Sequence, residues 1–501
     1  MTAEVLVIDI GTGAAKIECF DAEGTVLQRS VAEYTGIDPQ SDEIDPEIWY
    51  SAVGEAIRKL GDRVSLSALR YIVLSGQMQD VIPVRNGRTA APAILYFGHR
   101  ESTSFDSWLT TVGADHIRTV VCNTPDTAGF AAKLLYLQEK DPAVVDKIDY
   151  ILCGAHDYIA YRLTGVAATD PTTASTTGLF SPTRGTWADE IVSTLGRWGE
   201  KLPPIRRGNE IDGVVLPEVA SELGLPPTVQ VVHGVGDVGA SILAMEMEGF
   251  SRSLYLGTSG WIQDVGPLDQ PGDATRGVFT LRHPVEDRLI RVAPVLTAAG
   301  AFEWFVNSVL NADDTERDGL FARLGAATSA MDAASTAVLF LPYLAGERSP
   351  FSDPDASGMF VGLRRETDYV SLFRAIEEGV AFSIRSIFET LFDDRADEKG
   401  PRGSLIQVSG GGASIEGFPQ LVADVLRTPI AIADNARYSG TSALFGMVSN
   451  APRRQTAPTT QTARYNTVHP QHRDDRYAKK YDLFREAYQV NQKLMRALRT
   501  I

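Results

Sequence analysis

The chain of 501 residues predicts an α/β protein of two lobes with a related plan. Two observations carry this. A strand, a glycine-threonine turn and a second strand open the chain, and the same device returns near residue 250. The length also exceeds one ordinary core, since domains usually run about 100–200 residues.

The elements follow in order. Residues 4–10 form an apolar run that carries Asp9 near its end, and Gly11, Thr12 and Gly13 then turn the chain. From Lys16 to Phe20 polar and apolar residues alternate, as in a half-buried strand. Asp21 to Gly24 reads as a turn and Thr25 to Gln28 as the start of a third strand. Helical spacing marks Trp49 to Leu60, and Tyr71 to Leu74 reads as a short buried strand ahead of Ser75, Gly76, Gln77 and Met78. Residues 229–233 make another buried strand, followed by a glycine-rich stretch around Asp237 and an apolar helix, Ala240 to Met247.

Ser253 to Leu256, the turn Gly257, Thr258, Ser259 and Gly260, and the strand Trp261 to Gln263 repeat the opening device. Further on, 336–344 reads as an apolar strand, Tyr369 to Leu391 as one long helix, and Leu405 to Val408 as a strand ending in Gly410, Gly411 and Gly412. The Pro-, Thr-, Arg- and Gln-rich stretch 451–464 reads as a linker, and Tyr477 to Leu498 as a final helix. The expected division is a first lobe at 1–248, a second at 249–450, and a linker and C-terminal helix at 451–501.

Composition narrows the function. A net charge of −17 opposes binding to nucleic acid, whose affinity comes largely from lysine and arginine, and disfavours an anionic membrane surface. Cys19, Cys122 and Cys153 are sparse and widely spaced, so neither a disulfide framework nor a metal-ligand spacing is expected. The start lacks a basic segment and a long apolar run, and no stretch offers about 18 apolar residues, so a cytoplasmic protein without a membrane span is expected.

A glycine-threonine turn between strands aims backbone N–H groups at one point, which suits a phosphate. Asp9 beside it makes sense with Mg²⁺ between carboxylate and phosphate, because Mg²⁺ takes few protein ligands. One such turn alone reads first as an ordinary hairpin; the second one, at residues 257–260, turns the reading toward phosphate. Gly234 to Gly239 matches G-x-G-x-x-G, but the next strand ends in Leu256 and Gly257 without the acid that a dinucleotide site needs. Asp237, inside that stretch, reads either as a proton acceptor at a strand end or as a helix N-cap. Gly410 to Gly412 read either as backbone that approaches a purine or phosphate, or as a flexible loop. The chain holds no Gly-Lys pair, no H-E-x-x-H and no G-x-S-x-G, which removes Walker-type phosphate loops, zinc hydrolysis and the α/β-hydrolase nucleophile.

In this order the segments resemble the FGGY family of carbohydrate kinases, and the likeness covers essentially the whole chain. They are Asp9 to Gly13, Gly76 to Met78, Gly234 to Asp237, Leu256 to Gly260, Leu341 to Pro350 and Ser409 to Ser414. The resemblance implies two actin-like (ribonuclease H-like) lobes with an active-site cleft between them. It implies ATP and Mg²⁺, with Asp237 as catalytic base assisted by Asp9, both toward the metal. Gly11, Thr12, Gly13, Lys16, Gly257, Thr258, Ser259, Gly410, Gly411 and Gly412 would face the nucleotide. Gln77, Met78, Gln79, Arg100 and Asp237 would face a small sugar or polyol. Within the family the likeness is greatest to members acting on xylulose, a ketopentose. Those usually have histidine where this chain has Gln79, and a sugar-binding aspartate where it has Gly98, with Arg100 retained. The change at Gly98 implies lost acceptor and gained room, and leaves Gln79, Asp80 or His99 as a replacement contact, or Asp80 and His99 as solvent-facing groups. A different polyol, such as a tetritol or glycerol, and a non-catalytic sugar-binding regulator are the competing expectations. A homodimer stays open.

Overall fold

The computed structural model describes residues 2–38, 41–313, 316–331, 336–392, 405–433, 440–448, 465–471 and 477–499. The segment read as a linker, 451–464, lies outside them.

Two large mixed sheets organise the chain. The first has six strands in the order Ile211–Val214, Gln230–Gly236, Tyr71–Gly76, Val5–Ile10, Ala14–Phe20 and Val26–Glu33. Val5–Ile10 pairs in parallel with Tyr71–Gly76, which pairs in parallel with Gln230–Gly236. On its other side Val5–Ile10 opens an antiparallel meander, with Asp9 opposite Lys16. The second sheet has seven strands: Phe279–Arg282, Leu289–Val295, Gly260–Gly266, Arg252–Leu256, Ile406–Ser409, Ile430–Ala433 and Tyr465–Val468. It too has a parallel centre, Arg252–Leu256 with Ile406–Ser409 and Ile430–Ala433, and a meander beginning Arg252–Leu256, Gly260–Gly266. The repeated plan is thus real at the level of topology. Parallel neighbours require buried faces on both sides, and the central strands are accordingly almost wholly buried.

Between Met78–Arg85 and residue 202 the first lobe carries an added module with its own core, which includes Phe105, Trp108, Phe130 and Trp198. In the second lobe the helix Tyr369–Phe392 runs through a core shared with Phe302, Phe305 and Phe418. The C-terminal helix, Ala478–Arg499, docks on it: Lys480 Nζ donates to Glu378 and to the carbonyl of Thr336. The helix Gly440–Phe445 packs back on the first lobe, with Phe445 stacked on Phe20 and Thr441 Oγ1 donating to Glu18.

One expected element is much reduced. Of residues 336–344 only Leu339–Leu341 forms a strand, paired with Met359–Val361 outside both large sheets. Pro342 has no N–H to continue a ladder, and the apolar run reflects burial in the second core. Among the described residues no helix is long and apolar enough to cross a membrane.

Candidate active site

The strand Gln230–Gly236 passes directly into the helix Asp237–Met247. No loop separates them, so Asp237 is the first residue of the helix, and the N-cap position belongs to Gly236. The N-cap reading of Asp237 is thereby corrected. The glycines before it answer to packing. A Cβ on Gly234, at φ +83, would lie 1.8 Å from the carbonyl oxygen of Leu74 on the neighbouring strand. One on Gly236 would lie 2.0 Å from Sδ of Met78. The G-x-G-x-x-G pattern therefore marks close strand packing, and Met78 spends its side chain filling the space beside Gly236.

Asp237 accepts the N–H of Val238 at 2.7 Å through Oδ1. Its side chain opens to solvent but stands deep among protein atoms. That burial pushes its pKa up to about 6, and the charge of Asp9 adds to the rise. Asp9, at the end of Val5–Ile10, is also raised by burial, partly offset by Lys16 across the hairpin. The charge of Asp9 is thus felt at Asp237, the two standing at the ends of two strands of one sheet.

The turn after Asp9 presents Thr12 and Gly13 to solvent, and Tyr34 OH donates to the carbonyl of Gly11 at 2.9 Å. The second turn presents Thr258 and Ser259, and its carbonyls at Gly257 and Thr258 accept N–H groups from Ala298, Ala299 and Gly300. Gly410 needs to be glycine: φ is +95, and a Cβ would lie 2.5 Å from the carbonyl oxygen of Leu256. At Gly13 and Gly411, by contrast, a Cβ would meet no protein atom within 4 Å.

The expected sugar-facing residues divide. Gln77 is buried and donates Nε2 to Asp80 Oδ2 at 2.9 Å. Gln79 has a left-handed backbone, φ +67, and lines a small cavity with Trp108, Asn123, Asp126 and Thr176. Asp80 does not face solvent: it is 0% exposed, and it also accepts the N–H of Tyr96 at 3.0 Å. His99 is exposed and lies 3.1 Å from Thr127 Oγ1. Arg100 is held by Asp42, with Nη1 to Oδ2 at 2.5 Å and Nη2 to Oδ1 at 3.1 Å, and by Glu43 at 2.7 Å. Nor is the space at Gly98 empty. A Cβ there would lie 2.9 Å from Asp42 Oδ2, so the room expected from the missing aspartate is filled by another one.

Sequence reasoning missed three features. Asp42 is one. Lys133 is the second: fully buried, it donates Nζ to the carbonyls of Leu95, Gln79 and Tyr96 at 2.8, 3.2 and 3.4 Å. A lone lysine in the apolar run Phe130 to Leu135 was the available signal. The third is a buried array behind Asp237. Asp170 Oδ2 accepts the N–H of Gly236 at 3.3 Å and lies 3.1 Å from His156 Nε2. Asp157 Oδ1 lies 3.1 Å from His156 Nε2 and 3.3 Å from His233 Nε2, and His233 Nδ1 lies 2.8 Å from Asp212 Oδ2. Burial alone would lower His233, but Asp212 and Asp157 on either side raise it to about 10. His156, Asp157 and His233 are close enough to share a cation. A protonated His233 offsets part of the charge of Asp157 and Asp212.

The chain matches the N-terminal domain of the FGGY family of carbohydrate kinases over residues 4–244 and the C-terminal domain over 256–448. It belongs to that family. A xylulose kinase of Escherichia coli is 30% identical over 83% of this chain and 84% of its own. The crystal structure of a gluconate kinase from Lactobacillus acidophilus superposes with a TM-score of 0.81 at 25% identity, covering 98% of each chain. A xylulose kinase from Rhodospirillum rubrum shares the fold, with a TM-score of 0.85 at 23% identity over 98% of this chain and 99% of its own.

Proposed function

We propose that this carbohydrate kinase transfers the γ-phosphoryl group of ATP to a hydroxyl of a ketopentose, D-xylulose being the first candidate, with Asp237 as the base. The carrying observation is the placement of Asp237: at a strand end, first in a helix, open to solvent, with a pKa near 6. A general base works best with a pKa near the operating pH. Oδ1 is engaged by Val238 N–H, which leaves Oδ2 to receive the proton of the sugar hydroxyl. Phosphoryl transfer depends mainly on positioning and charge neutralisation, and the remaining residues serve those ends.

The turns at Gly11–Gly13 and Gly257–Ser259 would lie along the nucleotide phosphates, and Gly410–Gly412 near the adenosine. Open space over Gly13 and Gly411 supports this, because packing does not demand glycine there and a close ligand would. Lys16, exposed opposite Asp9, would add charge toward the phosphates. Mg²⁺ fits Asp9 and Asp237, since Asp9 stands near enough for its charge to raise Asp237. When bound it would neutralise phosphate charge. We assign the sugar to the lobe at 1–248 and the nucleotide to that at 249–450, with the cleft closing over both to exclude water. ATP as donor also suits the cytoplasmic location expected from the sequence.

The test is ADP release with D-xylulose, other pentuloses, pentitols, tetritols, glycerol and D-gluconate. Highest kcat/KM with a ketopentose is expected. Turnover confined to gluconate, glycerol or a tetritol would move the substrate, and no turnover with any would favour a sugar-binding regulator.

A further inference from the structure

Gln77–Gln79, expected to face the sugar, and Leu95–Phe97, which leads into Gly98 and Arg100, are not consecutive and belong to different strands and turns. Lys133 and Asp80 each touch both. Lys133 Nζ donates to the carbonyls of Gln79, in the first segment, and of Leu95 and Tyr96, in the second. Asp80 accepts Gln77 Nε2 from the first segment and the Tyr96 N–H from the second. Both side chains are 0% exposed.

We infer that Asp80 and Lys133 are positioning residues of the sugar site: two buried side chains, each bonded to both segments, that fasten them together and so set the affinity for the sugar. The inference rests on the functional reading above and adds to it the residues that shape the pocket. An ammonium has three N–H groups, and three carbonyls receive them. Lys133 is thereby used up within the protein and acts only through what it holds. The Gln79 carbonyl it grips belongs to a non-glycine residue at φ +67, a conformation that persists only where its surroundings enforce it. The other segment carries Tyr96 and Phe97, 39% and 42% exposed, with rings edge to face at 5.1 Å. Exposed aromatic faces held at a fixed place suit the apolar face of a sugar. Each charge also eases the burial of the other, since Lys133 attracts Asp80 and Asp80 attracts Lys133.

A purely structural pair behaves differently from a positioning pair. Loss of either side chain leaves buried backbone or amide groups unpartnered and lowers stability in both cases, whereas misplacement of one part of an active site costs activity toward the ligand held there. The experiment compares Asp80→Asn, Lys133→Met and the double variant Asp80→Leu/Lys133→Met with the unaltered chain. The readouts are KM for ATP, kcat/KM for D-xylulose and melting temperature. We expect kcat/KM for D-xylulose to fall about 10–10²-fold in the double variant, mostly through KM. KM for ATP should stay within about twofold at temperatures well below melting, while the melting temperature falls because the carbonyls and N–H groups these side chains served lose their partners. An unchanged sugar KM in the folded variants would overturn the inference. So would an equal loss toward sugar and ATP that tracks a lowered melting temperature. Absence of sugar turnover in the unaltered chain would instead overturn the functional reading, and this inference with it.

Discussion

Gly98 and Asp42 occupy one space: the absent Cβ of Gly98 would stand 2.9 Å from Oδ2 of Asp42 and 3.2 Å from its Cβ. Asp42 is locked there by Arg100, which also holds its carboxyl below the usual range. A carboxylate therefore reaches this corner from a different part of the chain, and glycine is what admits it.

The first prediction follows. Gly98→Asp should destabilise the fold by about 1–3 kcal/mol, the ordinary cost of overpacking, with like-charge repulsion added. Thermal unfolding should show the loss, and the double variant Gly98→Asp/Asp42→Ala should recover most of it. A single variant as stable as the unaltered chain would mean that the two side chains do not compete.

The second concerns pH. Burial raises Asp237 to about 6, and a base acts only in its unprotonated form. Activity is thus present above this value and lost as pH falls through it. The kcat/KM for the sugar should be level between about pH 7 and 8 and decline below about pH 6, approaching tenfold per unit. A profile level down to pH 4.5 would assign the proton to another group.

The third separates two adjacent glycines. Gly410→Ala forces a side chain into a backbone region nearly reserved for glycine, at about 1–3 kcal/mol, and against Leu256. It should lower the melting temperature. Gly411→Ala meets open space; it should leave stability unchanged and raise KM for ATP several-fold. Equal, unperturbed ATP kinetics in Gly411→Ala would remove this loop from the nucleotide site.

Much of the fold was legible because its marks are local. The run before Asp9 and the glycine turns at Gly11 and Gly257 carry their meaning within a few residues, and both opened hairpins as read. Asp237 could be located because a strand, glycines and a helix adjoin it. The rest depended on tertiary contacts. Asp42 and Arg100 lie 58 positions apart, and nothing near Gly98 announces that Asp42 will fill its space. The burial of Asp80 depends on Lys133 and Tyr96, so its neighbours in sequence gave no preference between solvent and interior. The apolar run at 336–344 was overread as one strand, because apolar character reports burial and not pairing.

The central claim is that Asp237 takes the proton of a sugar hydroxyl. Steady-state ADP release with D-xylulose, comparing the unaltered chain with Asp237→Asn, tests it most directly. Asparagine keeps the size and removes the base. The account predicts a fall in kcat of about 10²–10⁴-fold, the usual worth of a positioned base, with KM for ATP nearly unchanged. A folded Asp237→Asn enzyme that keeps more than about half its turnover would contradict it.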